Sequence, residues 1–272
     1  MTIEENILKE KLVKIISEDY LLGNKENYYP LGLEMLENIG STEAELRDDL
    51  IYDIFSHWIL DNRFTFEQLR TLLNISTSQL FYKLGEGNQD AVFKRTFSAL
   101  VIALIIYKHR QENFLSEKEL YELKDKLIEY MLKEKDLRGY VEVKGWAHSA
   151  AHTADALDEL GLCNCFNNQD LLDILKAIKA KVCIGYYAYI DEESERMVTP
   201  VESIFNRKIL SNEEIIHWLQ SFNFEKSKDN YIEYLHLKVN IKGFLRSLYF
   251  RLLEQEASNF IIEELKQVLK KL

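Results

Sequence analysis

The segment DAVFKRTFSALVIALIIY, residues 90–107, is the most apolar helical stretch of the 272-residue chain. Its apolar residues occupy nearly every side of a helix, which is typical of a helix buried all round. Its uninterrupted apolar run, residues 99–107, is about half of the roughly 20 residues that a membrane-spanning helix needs. We therefore predict a central helix around which the other helices of a globular protein pack.

Residues on both sides of this segment show helical spacing of apolar side chains almost from end to end. The chain has only two prolines and ten glycines, whereas a sheet protein needs frequent turns and the residues that form them. These observations predict an all-α protein. The predicted helices include residues 42–60, 65–73, 76–84, 116–133, 146–160, 169–189 and 231–254.

The lengths of these helices and their short loops favour antiparallel pairs stacked side by side, as in an α-solenoid of the HEAT or armadillo type. A clean repeat of about 40 to 47 residues is not visible, so a closed α/α toroid is the alternative. No linker rich in Pro, Gly or Ser divides the chain. We therefore treat residues 1–272 as one all-helical domain.

The charged residues and the cysteines indicate which partners the protein binds and in which cellular compartment it is found. The 34 basic and 45 acidic side chains give a formal net charge of -11, which disfavours binding to nucleic acid or anionic membranes. The acidic start of the chain does not resemble a secretory signal, and three cysteines do not resemble a disulfide framework. We expect a cytoplasmic protein that binds neither nucleic acid nor membrane.

The segment KGWAHSAAHTADALDEL, residues 144–160, holds the strongest candidate site. Four polar side chains fall within an arc of about 60° if this segment is helical: His148, His152, Asp155 and Glu159. The opposite side, which includes Trp146 and several alanines, is then the core face. We expect the polar face to line a groove.

Three interpretations of that face stay open. His148 and His152, one turn apart, can share a divalent metal ion with Asp155 as a further ligand. They can also act as a base and its orienting partner, or the row can be a solvated helix surface. The spacing lacks the adjacent glutamate of the metalloprotease motif, so the pattern alone does not require a metal.

The glycine-flanked loop before this helix adds candidate ligand-binding residues. Asp136 and Arg138 can bind polar groups of a ligand, or form a salt bridge that orders the loop. Trp146 is either part of the core or a platform for a flat or sugar ligand.

Two further candidate sites are suggested by the chemistry of their residues. Asp49, Asp53 and His57 follow at i, i+4 and i+8 on a predicted helix, which suits acid–base chemistry if buried and a solvated face otherwise. Arg95 enters an otherwise apolar helix and needs a partner, because an unpaired buried charge is costly. We expect an ion pair or an anion site there, with the partner drawn from Asp48, Asp49 or Asp136.

Several segments together resemble a known bacterial family. They are LRD (residues 46–48) with Tyr52 and Trp58, residues 90–98, DLRGY (136–140) followed by KGWAHSAAH (144–152), and FLRSLY (244–249). The chain is similar in these segments to a domain-of-unknown-function family (DUF, number 2785). The resemblance implies a helical-repeat protein of bacteria and carries no established activity.

Three functions fit these observations. The first is a helical-repeat binding protein whose groove, lined by His148, His152 and Asp155, takes a protein or a small molecule. The second is a metal- or acid–base-dependent hydrolase that uses the same face. The third is a protein-interaction scaffold with no small-molecule site.

Overall fold

The computed structural model describes residues 2–23, 27–87, 90–222, 230–254 and 259–272. Within these ranges the chain forms 12 α-helices, with 72% helix and 2% strand, which confirms the all-α prediction. None of the helices in this part of the chain is both long and apolar enough to cross a membrane.

The chain divides into two compact units, Met1–Ala156 (unit 1) and Leu157–Leu272 (unit 2). The assignment of one domain to residues 1–272 stays a prediction. Unit 1 contains α1 (Ile3–Ser17), α2 (Tyr28–Asn38), a π-helical segment (Glu45–Tyr52) that continues directly into α3 (Asp53–Leu60), α4 (Phe66–Gln79), α5 (Ala91–Glu112) and α6 (Glu117–Lys133). It also contains two short strands, β1 (Tyr140–Val141) and β2 (Gly145–Trp146), and most of α7 (Ser149–Gly161).

Among its described residues, unit 2 contains the end of α7 and five further helices: α8 (Asn168–Val182), α9 (Glu193–Asn206), α10 (Asn212–Gln220), α11 (Tyr231–Glu254) and α12 (Asn259–Lys271). The loop between α8 and α9 is fastened to α11 by the buried side chain of Asn240. Its amide donates to the carbonyls of Ile184 (3.0 Å) and Tyr187 (2.9 Å), and its oxygen accepts the N–H of Tyr189 (2.9 Å). A buried amide with both ends hydrogen-bonded positions a loop without leaving a costly polar group unpaired.

Helix starts follow the sequence signals closely. Five helices begin with a capping box, in which the side chains of the first and fourth residues bond each other's backbone N–H. Ser116 and Glu119 form the one before α6. The two short helices predicted for residues 65–73 and 76–84 are instead one helix, α4, because Thr65 caps its start and apolar packing continues through Leu73 to Ser76.

Helix α5 is the central helix that its sequence predicts. Most of its residues are buried, and α3, α4 and the π-helical segment all pack against it. Its beginning carries the buried residues Val92 and Phe93, which form a small cluster with Ala147 and Val141 of the strand region. The start of α5 therefore supports the segment that holds the candidate site.

Arg95 on α5 has a buried partner that the sequence did not identify. Its guanidinium pairs with both carboxylate oxygens of Glu134, at 2.5 and 3.0 Å, and not with any of the three aspartates considered. Both side chains are about 4% exposed. Glu134 also accepts the N–H groups of Lys135 and Asp136, so the ion pair fixes the chain where it leaves α6.

Arg95→Met should lower the free energy of unfolding by about 3 to 5 kcal/mol, because Glu134 loses its bidentate ion pair while staying buried. Urea denaturation followed by circular dichroism measures this. Lys126→Met is the matched control, since Lys126 pairs with Glu129 at the surface and should cost less than about 1 kcal/mol. Equal losses in the two variants would contradict the buried-pair argument.

Candidate functional site

The candidate site begins with a β-hairpin between α6 and α7. Its strands pair antiparallel, with Tyr140 opposite Trp146 and Val141 opposite Gly145. Its turn requires left-handed backbone at Val143 (φ 68°) and Gly145 (φ 75°). Helix α7 consequently begins at Ser149, so the prediction of a helix from residue 146 is wrong at its start.

Gly145 is required by space as well as by conformation. A Cβ there would lie 2.9 Å from the Ala44 Cβ, 2.9 Å from Arg47 Nη2 and 3.1 Å from Asp48 Oδ2. The hairpin backbone therefore lies so close to the π-helical segment that only glycine, which has no side chain, fits at this position. At its turn, Lys144 Nζ also contacts Asp90 Oδ1 at 2.7 Å, ahead of α5.

His148 joins the hairpin to α7 in a strained conformation. Its φ is 48°, in the left-handed region that residues other than glycine seldom occupy. Its N–H donates to the Arg138 carbonyl (2.9 Å), and its own carbonyl accepts the N–H of His152 (3.0 Å). Strain of this kind persists only where the surroundings hold the residue, and it occurs often at functional sites.

The loop that holds His148 is ordered by the pair of charged residues predicted for it. Arg138 Nε and Nη2 contact the two oxygens of Asp136 at 2.8 and 2.6 Å. The Asp136 carbonyl accepts the Ser149 hydroxyl at 2.5 Å. The geometry is that of the ordering salt bridge, the second of the two roles considered for Asp136 and Arg138.

The two histidines lie together but inside the protein. His148 and His152 are 7% and 6% exposed, with ring centroids 5.7 Å apart in an edge-to-face arrangement. His152 Nδ1 bonds the Thr96 hydroxyl at 2.9 Å and the ring meets Phe97 edge-on. The prediction that these two histidines lie on a solvent-exposed helix face is thus wrong. His148 precedes the helix, and α5 covers His152. Asp155, one turn further along α7, is partly buried.

Trp146 is exposed rather than in the core. Its side chain is 40% exposed and stacks on His148, with ring centroids 4.6 Å apart and planes at 21°. Tyr140, 57% exposed, meets the indole edge-to-face at 5.1 Å across the hairpin. A continuous row of rings therefore runs from the surface at Tyr140 through Trp146 and His148 to the buried His152.

Arg47 is a site residue that sequence reasoning missed. It is fully buried, and its guanidinium carbon lies 4.4 Å from the ring centre of Phe93 and 4.7 Å from that of Phe97. It donates to the carbonyls of Ser41 (2.7 Å) and Lys144 (2.8 Å). The available signal was a single arginine within the apolar pattern of residues 46–51, the same signal that singled out Arg95.

Asp48 is the second residue that was missed as part of this site. It accepts a hydrogen bond from the Trp146 backbone, and Arg47 Nε lies 2.7 Å from its Oδ1. The Arg47 pair is poorly aligned for a hydrogen bond. Burial raises the pKa of the Asp48 carboxyl to about 6, and the nearby arginine only partly opposes this. A carboxyl that titrates near neutral pH can accept or donate a proton under physiological conditions.

The other predicted positions lie apart from this row of rings or carry structural contacts. Asp49 is exposed. Asp53 accepts a hydrogen bond from the Tyr20 hydroxyl at 2.7 Å, and His57 stacks on the Tyr20 ring at 3.6 Å. Asp53 and His57 are 4.0 Å apart and both about two-fifths exposed, so they form a separate surface cluster with Tyr20. Arg95 is committed to its buried ion pair.

No group of three or more His, Cys, Asp or Glu side chains in the described ranges is arranged to hold a metal ion. The metal site at His148, His152 and Asp155 stays a prediction.

The fold and the site together define an all-α protein with a β-hairpin set into unit 1. The chain belongs to the family described as "Protein of unknown function (DUF2785)", which matches residues 80–250, more than half of its length. The match includes α5, the hairpin and both histidines, whereas Arg47 and Asp48 precede it. No curated protein matches the chain.

Asp48 should make stability depend on pH in an identifiable way. Because its pKa is higher in the folded protein than in the unfolded chain, its contribution is complete below about pH 4 and falls as the pH rises to about 6. Relative to Asp48→Asn, the wild type should therefore lose about 2 to 3 kcal/mol of unfolding free energy between pH 4 and pH 7.

Urea unfolding at several pH values measures this difference. Asp61→Asn, at an exposed position just after α3, is the matched control and should retain the wild-type profile. Parallel profiles for wild type and Asp48→Asn would show that the carboxyl does not titrate in this range.

Proposed function

We propose that this chain is a binding protein whose ligand site is centred on the hairpin surface of Trp146 and Tyr140. The observation that carries the proposal is the exposed Trp146 indole, held flat against the buried His148 ring. A solvent-exposed indole that is stacked on one face can bind a flat ring, or the apolar face of a sugar, on its remaining exposed surface. The proposed site therefore lies beside the face of His148, His152 and Asp155 rather than on it, at the rings of Trp146 and Tyr140.

The rigidity of the surroundings supports binding. Arg47 ties the hairpin turn to the π-helical segment, Asp136 and Arg138 order the preceding loop, and Lys144 reaches Asp90. A site held by its supporting contacts loses little conformational freedom when a ligand arrives, which favours affinity. The π-helical segment beside it is of a type that occurs often at functional sites.

Asp48 supplies the polar part of the proposed site. Its side chain is 21% exposed, and its backbone partner is Trp146 itself. A partly buried carboxyl next to an aromatic platform can hydrogen-bond a ligand hydroxyl or N–H. Because its pKa is about 6, binding should change with pH in the same range as its protonation.

An acid–base hydrolase is the second candidate, favoured by that same carboxyl. A general acid or base works best with a pKa near the operating pH, and Asp48 meets this condition. In the metal-dependent form of this alternative, His148, His152 and Asp155 would be the ligands of a divalent ion.

The proposal also covers how the helices are stacked, where in the cell the protein is found and which class of ligand it binds. Several helices pack on the next or next-but-one helix within their unit, for example α2 with α4, α3 with α5, α9 with α11 and α10 with α12. Stacked antiparallel pairs of the HEAT type produce such contacts, and an α/α toroid is the alternative. We place the protein in the cytoplasm, with a small-molecule or protein ligand rather than nucleic acid, because its net charge is -11.

Saturation-transfer NMR with a panel of methyl glycosides and nucleosides tests the binding function. At least one of these two classes should bind the wild type, and Trp146→Ala should weaken that binding about fivefold or more, the value of an aromatic contact. Phe250→Ala, which removes an exposed aromatic ring from α11, should bind as the wild type does. Absence of binding to both classes, or equal binding by Trp146→Ala, would overturn the proposal.

The metal-dependent alternative is tested by elemental mass spectrometry of untagged protein grown in supplemented medium. It requires near-stoichiometric zinc, manganese or iron that disappears in a folded His148→Ala, His152→Ala variant. A metal-free wild type rejects this form of the hydrolase and leaves the acid–base form, in which Asp48 would take a proton from the attacking water or give one to the leaving group.

A further inference from the structure

Unit 2 contains a cleft between α8 and α10 that is separate from the hairpin. Its volume is about 390 Å³, within the range of small-molecule sites. Leu172 and Trp218 provide apolar wall, and the Trp218 ring is held in place because its Nε1 donates to the Leu175 carbonyl at 3.0 Å. The cleft is therefore a formed cavity with a fixed aromatic side.

The two helices run side by side in the same direction, which gives the cleft two different ends. Asn168 at the start of α8 bonds Glu214 near the start of α10, whereas Lys179 near the end of α8 lies over the ring of Phe222, just beyond α10. Acidic side chains consequently lie at one end and Lys179 at the other, about 10 Å from Leu172 along α8.

The charges at the acidic end are largely engaged. Glu214 accepts the N–H of Ser211 and the amide of Asn168, each at 2.8 Å, and it lies at the positive end of α10, which stabilises its charge. In the middle of the cleft, Lys176 pairs with Asp173 at 3.0 Å. Glu214 and Lys176 therefore have partners within the protein.

Lys179 differs from them. In the part of unit 2 that the structure describes, no carboxylate lies within ion-pair distance of its Nζ, which lies 5.8 Å from the centre of the Phe222 ring. An ammonium group beside an apolar cleft, with no carboxylate partner among the described residues, is suited to pairing with a carboxylate from a ligand.

We propose that this cleft binds a small amphipathic carboxylate. The apolar part of the ligand packs between Leu172 and Trp218, and its carboxylate pairs with Lys179 at the far end. The opposite orientation is disfavoured, since it would bring the carboxylate to Glu213 and Glu214. The site lies within unit 2 and is independent of the function proposed for the hairpin.

NMR on protein labelled with ¹⁵N-tryptophan tests this proposal. The chain has three tryptophans, and Trp218 is the one among the described residues that line the cleft. Decanoate, below its micellar concentration, should shift the Trp218 indole signal saturably and leave those of Trp58 and Trp146 in place. Decanol, the uncharged probe, should bind about tenfold more weakly, since it cannot form the ion pair.

Substitution of the lysine separates the charge from the apolar contact. Lys179→Gln should weaken decanoate binding about tenfold and leave decanol binding unchanged. Lys270→Gln, at an exposed position on α12, should bind both probes as the wild type does. No saturable shift with decanoate, or equal decanoate affinity in wild type and Lys179→Gln, would overturn the proposal.

Discussion

The enclosure of the Arg47 guanidinium constrains the architecture of unit 1. A charge taken fully out of water is costly unless its donors are engaged and its surroundings stabilise it. The rings of Phe93 and Phe97 stabilise it through their faces, while the carbonyl of Lys144 and the carboxylate of Asp48 lie at its nitrogen atoms. The π-helical segment, α5 and the hairpin must therefore be in place together.

The candidate site follows from this requirement. Because the hairpin turn is drawn onto Arg47, its strands hold Trp146 and Tyr140 at the surface and leave His148 at the junction with α7. The raised pKa of Asp48 has the same origin, since the burial that accommodates the arginine also removes water from the neighbouring carboxyl. The packing that encloses Arg47 thus shapes the site and, by burying Asp48, raises the pKa of its carboxyl group.

The elements that the sequence predicts well are those determined by local pattern. Helix α5 shows its burial in its own residues, and capping residues mark where α6 begins. The hairpin is different, because its four paired residues carry little periodicity and its turn depends on a left-handed valine and on contacts with distant residues. The exposure of the histidines could not be predicted, since it depends on where α7 begins and on what covers it. Arg95 shows the same limit, because its need for a partner was evident and its partner was not.

The contact between Arg47 and Lys144 also has a consequence for the order of events during synthesis. The two residues are 97 positions apart in the chain, and translation proceeds at about 5 to 20 residues per second. The ribosome therefore needs roughly 5 to 20 s after making Arg47 before the Lys144 carbonyl exists. During that interval the apolar faces of the π-helical segment and α5 emerge without the hairpin that completes their packing. The buried surfaces of unit 1 accordingly stay incompletely covered until the hairpin has been made.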